Sequence, residues 1–141
     1  MSSVDISRFL APHQLNYTLA LSELRHSKKD SHWMWYIFPQ LRGLGKSSMA
    51  NFYGIQDLTE AEAYYAHPLL GKHLKEISTA LLRIDNKSAT EIFGYPDDLK
   101  LHSCMSLFAQ IKHVDKVFQH VIDKYFEGLP DKQTIRLLNK A

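Results

Sequence analysis

Residues 68–84, PLLGKHLKEISTALLRI, decide the fold class of this chain. Their apolar side chains recur at spacings of four and three, which is the period of an α-helix with one buried face. Proline suits the first turn of a helix because its φ angle is already helical and its missing N–H has no partner there. The stretch therefore predicts a long helix whose core face carries Leu70, Leu74, Ile77, Leu81 and Ile84.

The same helical period recurs on both sides of this stretch, in segments bounded by helix-start and helix-stop residues. The expected starts are Pro12, Ser47, Thr59, Ser88, Asp97 or Asp98, and Asp131, and the expected stops are Gly54, Gly94 and Gly128. In the first segment we expect an apolar stripe that carries Leu15, Leu19 and Leu24 with Tyr17, Ala20 and Leu21. Residues 33–38 fit either a strand or a buried helical turn. About seven helices without paired strands predict an all-α bundle, folded as one domain over residues 1–141.

The composition is typical of a folded domain that stays in water. Hydrophobic residues make up 45% and charged residues 23% of the chain. A formal net charge of +2, with no broad basic stripe, does not favour nucleic acid as a partner. The longest apolar run is far shorter than the ~20 residues that cross a bilayer, so we expect no membrane span. Because Cys104 is the one cysteine and no signal-peptide pattern opens the chain, we expect a cytoplasmic protein.

Residues 29–48, KDSHWMWYIFPQLRGLGKSS and hereafter the aromatic segment, place two tryptophans among polar and basic side chains. One interpretation is the wall of a ligand pocket, because ring faces stack on flat ligands and basic groups hold anions. The other is a packing hub whose polar groups cap neighbouring helices. The candidate ligand-binding residues of this segment are Lys29, Ser31, Trp33, Trp35, Gln40, Arg42, Gly43, Gly45 and Ser47.

Residues 43–48, GLGKSS, are similar to part of a P-loop but do not complete one. The P-loop needs a glycine five positions before Gly45, where this chain has Gln40. A weaker hypothesis remains: accessible amides at Gly43 and Gly45 and the helix that opens at Ser47 would attract an anion. An ordinary turn between two helices explains the same glycines.

His32 and Asp98 are the candidate catalytic residues. His32 lies among aromatic residues, where loss of water tunes an imidazole as an acid or a base, although a structural histidine fits too. Asp98 and His102 are four residues apart and can meet on one helix face, as when a carboxylate orients a catalytic histidine. Lys100 and Ser103 of the same segment extend the candidate binding set. No metal-ligand spacing is present, and we predict neither a metal nor a cofactor.

The sequences SHWMWYIFPQLRGLGKS (residues 31–47) and IFGYPDDLKLHSCMSLF (residues 92–108) resemble the bacterial family named domain of unknown function 1810. The resemblance covers nearly the whole chain and implies a helical fold. It also implies a family signature that contains most of the candidate residues together with Pro39, His67, Pro68, Gly71 and Phe108. Cys104 stands where serine is common in the family, which argues against a cysteine nucleophile. Some members carry the label calpastatin, but such inhibitors resemble disordered, aromatic-poor chains, so we do not transfer that activity.

These residues predict a small-molecule site where the aromatic segment meets the helix of residues 98–106. The expected ligand is an anion such as a nucleotide or a sugar phosphate, held by Lys29, Arg42 and Lys100 and stacked on a tryptophan. Whether a reaction follows binding is open. The alternative is a non-catalytic module whose exposed Trp and Tyr side chains bind a partner protein or a second copy of the chain.

Overall fold

Nine α-helices and one short 3-10 turn at Ser7–Phe9 make up residues 4–140, the part of the chain that the computed structural model describes. The helices are α1 (Leu10–Arg25), α2 (Met34–Ile37), α3 (Ser48–Tyr53), α4 (Leu58–Ala66), α5 (Leu70–Leu82), α6 (Ala89–Phe93), α7 (Asp97–Ala109), α8 (Val117–Tyr125) and α9 (Lys132–Asn139). The all-α prediction is confirmed, whereas the expected number of about seven helices is too low. Of the two structures that residues 33–38 fit, the buried helical turn is the one that forms, as α2.

The helix predicted from residues 68–84 forms as α5, and all five of its predicted core residues are buried. Its regular turns begin at Leu70, and the His67 side chain caps a first turn that already contains Pro68, since the Gly71 amide donates to the His67 carbonyl at 2.9 Å. The Nδ1 atom of His67 accepts hydrogen bonds from the amides of Leu69 at 3.1 Å and Leu70 at 3.2 Å. An imidazole can therefore take the place of the usual Ser, Thr, Asp or Asn cap.

Three of the predicted N-caps are confirmed, since Ser47, Ser88 and Asp131 each accept a hydrogen bond from a first-turn amide. Thr59 was expected to start α4, but Asp57 caps that helix by accepting from the Glu60 amide at 2.9 Å. The helix therefore begins two residues earlier than the Thr-x-x-Glu pattern predicts.

The cap expected at Asp97 or Asp98 is also wrong, because α7 starts after Pro96 without a side-chain cap. Both carboxylates lie in the first turn of α7 instead. Negative charge there faces the positive end of the helix dipole. The two acidic residues therefore favour the start of α7 by electrostatics rather than by capping.

Helix α1 departs furthest from its prediction. It begins at Leu10 rather than Pro12, and Leu15 and Leu19 are 83% and 47% exposed. Tyr17, Ala20, Leu21 and Leu24 are buried as expected, and His13 is buried beside them. The prediction failed at Leu15 and Leu19 because the face that packs inward is the one whose polar side chains, His13 and Tyr17, find partners on α5.

Helices α5 and α7 lie at the centre of the bundle: α5 packs against α1, α4 and α8, and α7 against α6, α8 and α9. The aromatic segment crosses the N-terminal end of α7. Its first residue is attached to α6 by a hydrogen bond from the Lys29 amide to the Ile92 carbonyl, 2.8 Å long. Further along, the segment pairs with a single residue through an isolated parallel bridge between Leu41 and Ile55. The segment is thus held at Lys29 and at Leu41. It lies against the start of α7, the helix that contains Asp97 and Lys100.

Candidate functional site

Glu23 of α1 holds the beginning of the aromatic segment in place. Its carboxylate accepts hydrogen bonds from the amides of Asp30 at 2.8 Å and Ser31 at 3.0 Å, from the Ser31 hydroxyl at 2.6 Å and from the Trp33 indole at 2.9 Å. Desolvation by burial raises the pKa of Glu23, but these hydrogen bonds outweigh it and lower the pKa to about 2. The side chains of Ser31 and Trp33 are therefore occupied by internal contacts.

An ion-pair cluster joins the aromatic segment to the first turn of α7. The Lys29 ammonium lies 2.8 Å from Asp97 Oδ2 and 4.9 Å from the centroid of the Trp33 ring. It also donates to the Ser31 carbonyl. Only 5% of the Lys29 side chain is exposed, so its charge depends on these partners. The Lys100 ammonium lies 3.3 Å from the other carboxylate oxygen of Asp97, so two cations share one anion and the cluster keeps a net charge of +1.

A cavity of about 260 Å³ opens beside this cluster, and we term it the aromatic cavity. Its walls include Lys29, His32, Trp35, Tyr95, Asp97 and Lys100. The Lys100 ammonium lies 5.1 Å from the centroid of the Trp35 ring. The attraction between a cation and the ring face keeps that ammonium beside the cavity. Both the aromatic segment and the start of α7 thus contribute walls to one cavity.

A second cavity of about 340 Å³, the adjoining cavity, shares Pro96 and Lys100 with the first. Its other walls include Gln40, Leu44, Leu99, Ser103, Asp131 and Gln133. The Ser103 hydroxyl lies 3.1 Å from the Leu99 carbonyl and 3.3 Å from Asp131 Oδ2. Asp131 uses the same oxygen to cap α9, accepting from the Thr134 amide at 3.0 Å. The adjoining cavity is therefore built on the junction of α7 and α9.

The predicted ligand-binding residues divide between these cavities and the supporting structure. Those that line a cavity are Lys29, Trp35, Gln40, Gly45, Lys100 and Ser103. Those that line neither are Ser31, Trp33, Arg42, Gly43 and Ser47. Trp33 has no exposed surface, so Trp35 is the tryptophan that a ligand can reach. Arg42 donates to the Asn51 carbonyl at 3.1 Å, and Ser47 caps α3, which explains both without a ligand.

The two candidate catalytic residues lie in different surroundings. His32 is exposed and lines the aromatic cavity. Asp98 is buried, lines neither cavity, and accepts hydrogen bonds from the Thr90 hydroxyl at 2.6 Å and the Leu99 amide at 3.0 Å. Its carboxylate therefore joins α6 to α7 rather than facing a ligand.

The pair predicted between Asp98 and His102 is not formed. The Nε2 atom of His102 lies 2.7 Å from the Leu129 carbonyl, and its ring stacks on Phe126 with centroids 4.1 Å apart. The spacing of four places both residues near one face of α7, but each finds a partner on another element. The predicted pairing was therefore wrong because tertiary contacts replaced it.

Asp97 and Tyr95 line the aromatic cavity but were not among the predicted site residues. Successive residues of a helix point about 100° apart, so only one of two adjacent acidic residues can face a given cavity. Which one does so depends on where α7 begins, and the sequence left that open. Asp97, which forms the ion pairs with both lysines, is thus the neighbour of Asp98, the residue that was predicted.

Sequence reasoning also missed a buried cluster between α1 and α5. His13 Nε2 lies 2.9 Å from His73 Nδ1, and the Tyr17 ring stacks on the His73 ring with centroids 3.7 Å apart. The Tyr17 hydroxyl donates to Glu76 Oε1 at 2.5 Å. Desolvation by burial lowers the pKa of His13 to about 4 and raises that of Tyr17. The partners are some 60 positions apart in the chain, and no local pattern signals such a contact.

Two further features lie outside the two cavities. Across residues 4–140, no group of three or more His, Cys, Asp or Glu side chains is arranged to hold a metal ion. Cys104 is fully buried, and desolvation by burial raises the pKa of its thiol. The thiol is thus a core group of α7.

Residues 3–138 match the model of the family described as Protein of unknown function (DUF1810). The chain belongs to the DUF1810 family. The resemblance seen in the sequence is thereby confirmed. Among solved structures, this DUF1810 chain is similar to the conserved hypothetical protein Rv1873 from Mycobacterium tuberculosis, with 44% sequence identity, a TM-score of 0.93 and 96% of each chain covered. No curated protein matches the chain.

Proposed function

We propose that this DUF1810 protein binds a small anionic ligand, of the nucleotide or sugar-phosphate kind, in the cleft formed by the aromatic cavity and the adjoining cavity. The observation that carries the proposal is the position of the Lys100 ammonium, which borders both cavities. An ammonium at the wall of a concave site attracts phosphate and carboxylate groups. The family and the related structure carry no stated activity, so the proposal rests on this geometry alone.

The ion-pair cluster leaves the charge of Lys100 available to a ligand. Asp97 lies closer to Lys29, at 2.8 Å, than to Lys100, at 3.3 Å. The Lys29 side chain is almost wholly buried, whereas 24% of the Lys100 side chain is exposed. Lys29 therefore neutralises the carboxylate from the protein interior, and Lys100 presents the remaining positive charge to the cavity.

Trp35 and His32 complete the proposed binding surface. The Trp35 ring holds the Lys100 ammonium by a cation–π contact, which restricts the ammonium to the cavity wall. The His32 imidazole, exposed on the same wall, can donate a hydrogen bond to an anion. If the protein catalyses a reaction on its ligand, His32 is the acid or base that the cavity offers, because Asp98 faces α6.

We further propose a cytoplasmic location. The chain has a single cysteine, Cys104, so its fold gains no intrachain disulfide from an oxidising compartment. No helix within residues 4–140 is long and apolar enough to cross a bilayer. Phosphorylated metabolites are charged and membrane-impermeant, which fits a binding protein in the same compartment as its ligand.

Isothermal titration calorimetry with inorganic phosphate and with phosphate monoesters tests the binding proposal. Replacing the ammonium in Lys100→Gln should weaken the binding of these anions by about tenfold or more, because a charge-assisted hydrogen bond is lost. Lys112→Gln is the matched control, since Lys112 is exposed and lines neither cavity. Equal anion affinities in the wild type and Lys100→Gln, or no binding to the wild type, would show the proposal to be wrong.

A partner-binding surface is the second candidate, and one observation favours it. Tyr95 and Leu99, at the mouth of the cleft, are 77% and 51% exposed. Exposed aromatic and aliphatic side chains at a rim commonly anchor protein partners. The same titration separates the two candidates, because a surface that only binds protein leaves Lys100→Gln and the wild type alike in their response to small anions.

A further inference from the structure

We infer that the ligand is a phosphorylated sugar or polyol, with its anionic group in the aromatic cavity and its hydroxyl groups in the adjoining cavity. This inference rests on the proposed function and specifies the uncharged part of the ligand. Its starting point is the shared wall of the two cavities, formed by Pro96 and Lys100. An anion bound at Lys100 can extend into the adjoining cavity without leaving the protein surface.

The adjoining cavity presents the polar groups that recognise hydroxyls. Gln40 and Gln133 line this cavity, and within residues 4–140 neither side-chain amide is hydrogen-bonded to another residue. The side chain of Asp131 accepts its hydrogen bonds from described residues through Oδ2, which leaves Oδ1 for a ligand. An amide both donates and accepts, and a carboxylate only accepts. A hydroxyl group, which also donates and accepts, satisfies both kinds of partner.

The charges in the two cavities differ, and this difference orients the ligand. Two lysines and one carboxylate, Lys29, Lys100 and Asp97, line the aromatic cavity, whereas among the described residues one lysine and one carboxylate, Lys100 and Asp131, line the adjoining cavity. A second phosphate in that cavity would meet a like charge. The remaining walls, Leu44, Pro96 and Leu99, are apolar and suit the C–H faces of a sugar ring. The cleft therefore fits a ligand with one anionic end and an uncharged, hydroxylated body.

The aromatic residues favour a sugar over a base as the body of the ligand. Trp33 is fully buried, and the Trp35 ring already carries the Lys100 ammonium 5.1 Å from its centroid. A purine or pyrimidine would have to displace that ammonium to stack on Trp35. The adjoining cavity, at about 340 Å³, is at the small end of ligand pockets and needs no ring stacking to be filled.

Calorimetric titration of the full chain with inorganic phosphate, ribose 5-phosphate, ribose and AMP tests this inference. We expect ribose 5-phosphate to bind about tenfold more tightly than inorganic phosphate, because its hydroxyls add hydrogen bonds. Gln40→Met, which keeps the length of the side chain but removes its amide, should lower the affinity for ribose 5-phosphate towards that for inorganic phosphate. Gln14→Met, at an exposed position of α1, is the matched control.

Each result decides between this inference and the function on which it rests. Binding of inorganic phosphate with no gain for ribose 5-phosphate overturns the inference and leaves the anion site standing. Tighter binding of AMP than of ribose 5-phosphate overturns it in favour of a base-binding site. A gain for ribose 5-phosphate that persists in both Gln40→Met and Asp131→Asn also overturns it, because the hydroxyls then bind elsewhere. If no anion binds, both proposals fail.

Discussion

Glu23 illustrates how one buried carboxylate can organise a loop segment. Burying a charge without partners is costly, but four donors from residues 30–33 surround this one. The pKa of Glu23, lowered to about 2, shows that the hydrogen bonds outweigh desolvation. Ser31 and Trp33 belong to the family signature, and Glu23 gives both a structural role. Their presence in the signature therefore does not require that they touch a ligand.

Replacing Glu23 with glutamine should destabilise the protein. The glutamine amide can keep its oxygen at the Oε1 position, where it still accepts from the Asp30 and Ser31 amides and the Trp33 indole, while its NH₂ group faces the Ser31 hydroxyl in place of Oε2. We expect a loss of about 2 kcal/mol in the free energy of unfolding, since the charge-assisted hydrogen bonds become neutral ones. Urea denaturation followed by circular dichroism measures this loss. Glu62→Gln, at an exposed position of α4, is the control, and equal midpoints for the two variants would contradict the assigned role of Glu23.

At the scale of elements, α5 and α1 show which features of a fold can be predicted from one sequence. Helix α5 has one aliphatic face, and its period identified all of its buried leucines and isoleucines but not Ser78, which is buried as well. In helix α1 the period identified Tyr17, Ala20, Leu21 and Leu24, but it also included the exposed Leu15 and Leu19 and missed His13. The burial of His13 depends on a partner of distant sequence, His73, which the period alone cannot reveal.

The candidate site could likewise be predicted only in part from the sequence. Two cavities lie between the aromatic segment and α7, and Trp35, Lys100 and His32 line them, while a ligand site there stays a prediction. The sequence could not distinguish Trp33 from Trp35 or Asp97 from Asp98. In each pair the two side chains point in different directions, and only the packed structure determines which one reaches the cavity.

Gly71 is a residue of low helix propensity that α5 needs because of its close contact with α4. A Cβ atom at this position would lie 1.8 Å from the Tyr65 carbonyl oxygen, because α4 and α5 approach closely at the backbone. Helix propensity alone predicts that Gly71→Ala stabilises α5 by about 1 kcal/mol. The clash predicts the opposite sign, a destabilisation of about 3 kcal/mol, since a backbone carbonyl cannot move aside as a side chain can.

Thermal and urea denaturation of Gly71→Ala decide between these two signs. Lys72→Ala is the control, because Lys72 is exposed on the same turn of α5 and its replacement should change stability by less than about 0.5 kcal/mol. A Gly71→Ala variant as stable as the wild type would mean that α4 and α5 separate without cost. The close approach would then not explain why this glycine belongs to the family signature.

For the whole molecule, the histidine pair between α1 and α5 links stability to pH. His13 and His73 face each other at 2.9 Å, with Tyr17 and Glu76 beside them. Desolvation by burial is the main cause that lowers the pKa of both histidines, that of His13 from 6.5 to about 4. At a pH between these two pKa values of His13, the unfolded chain binds more protons than the folded protein. The free energy of unfolding therefore falls as the pH is lowered through this window.

We expect the protonation of His13 alone to lower the free energy of unfolding by about 3 kcal/mol as the pH falls from 6.5 to 4. The loss should be complete near pH 4. The loss due to Glu23 lies lower, between pH 4.5 and about 2, because its folded pKa is depressed. Urea denaturation at pH 7, 5.5 and 4.5 isolates the histidine effect. His13→Gln should flatten the dependence over this range even though it lowers stability at pH 7, whereas His120→Gln, exposed on α8, should leave the slope unchanged. If the free energy of unfolding of His13→Gln depends on pH as steeply as that of the wild type, the contact between α1 and α5 tolerates a proton. The sensitivity to acid would then originate in another part of the bundle.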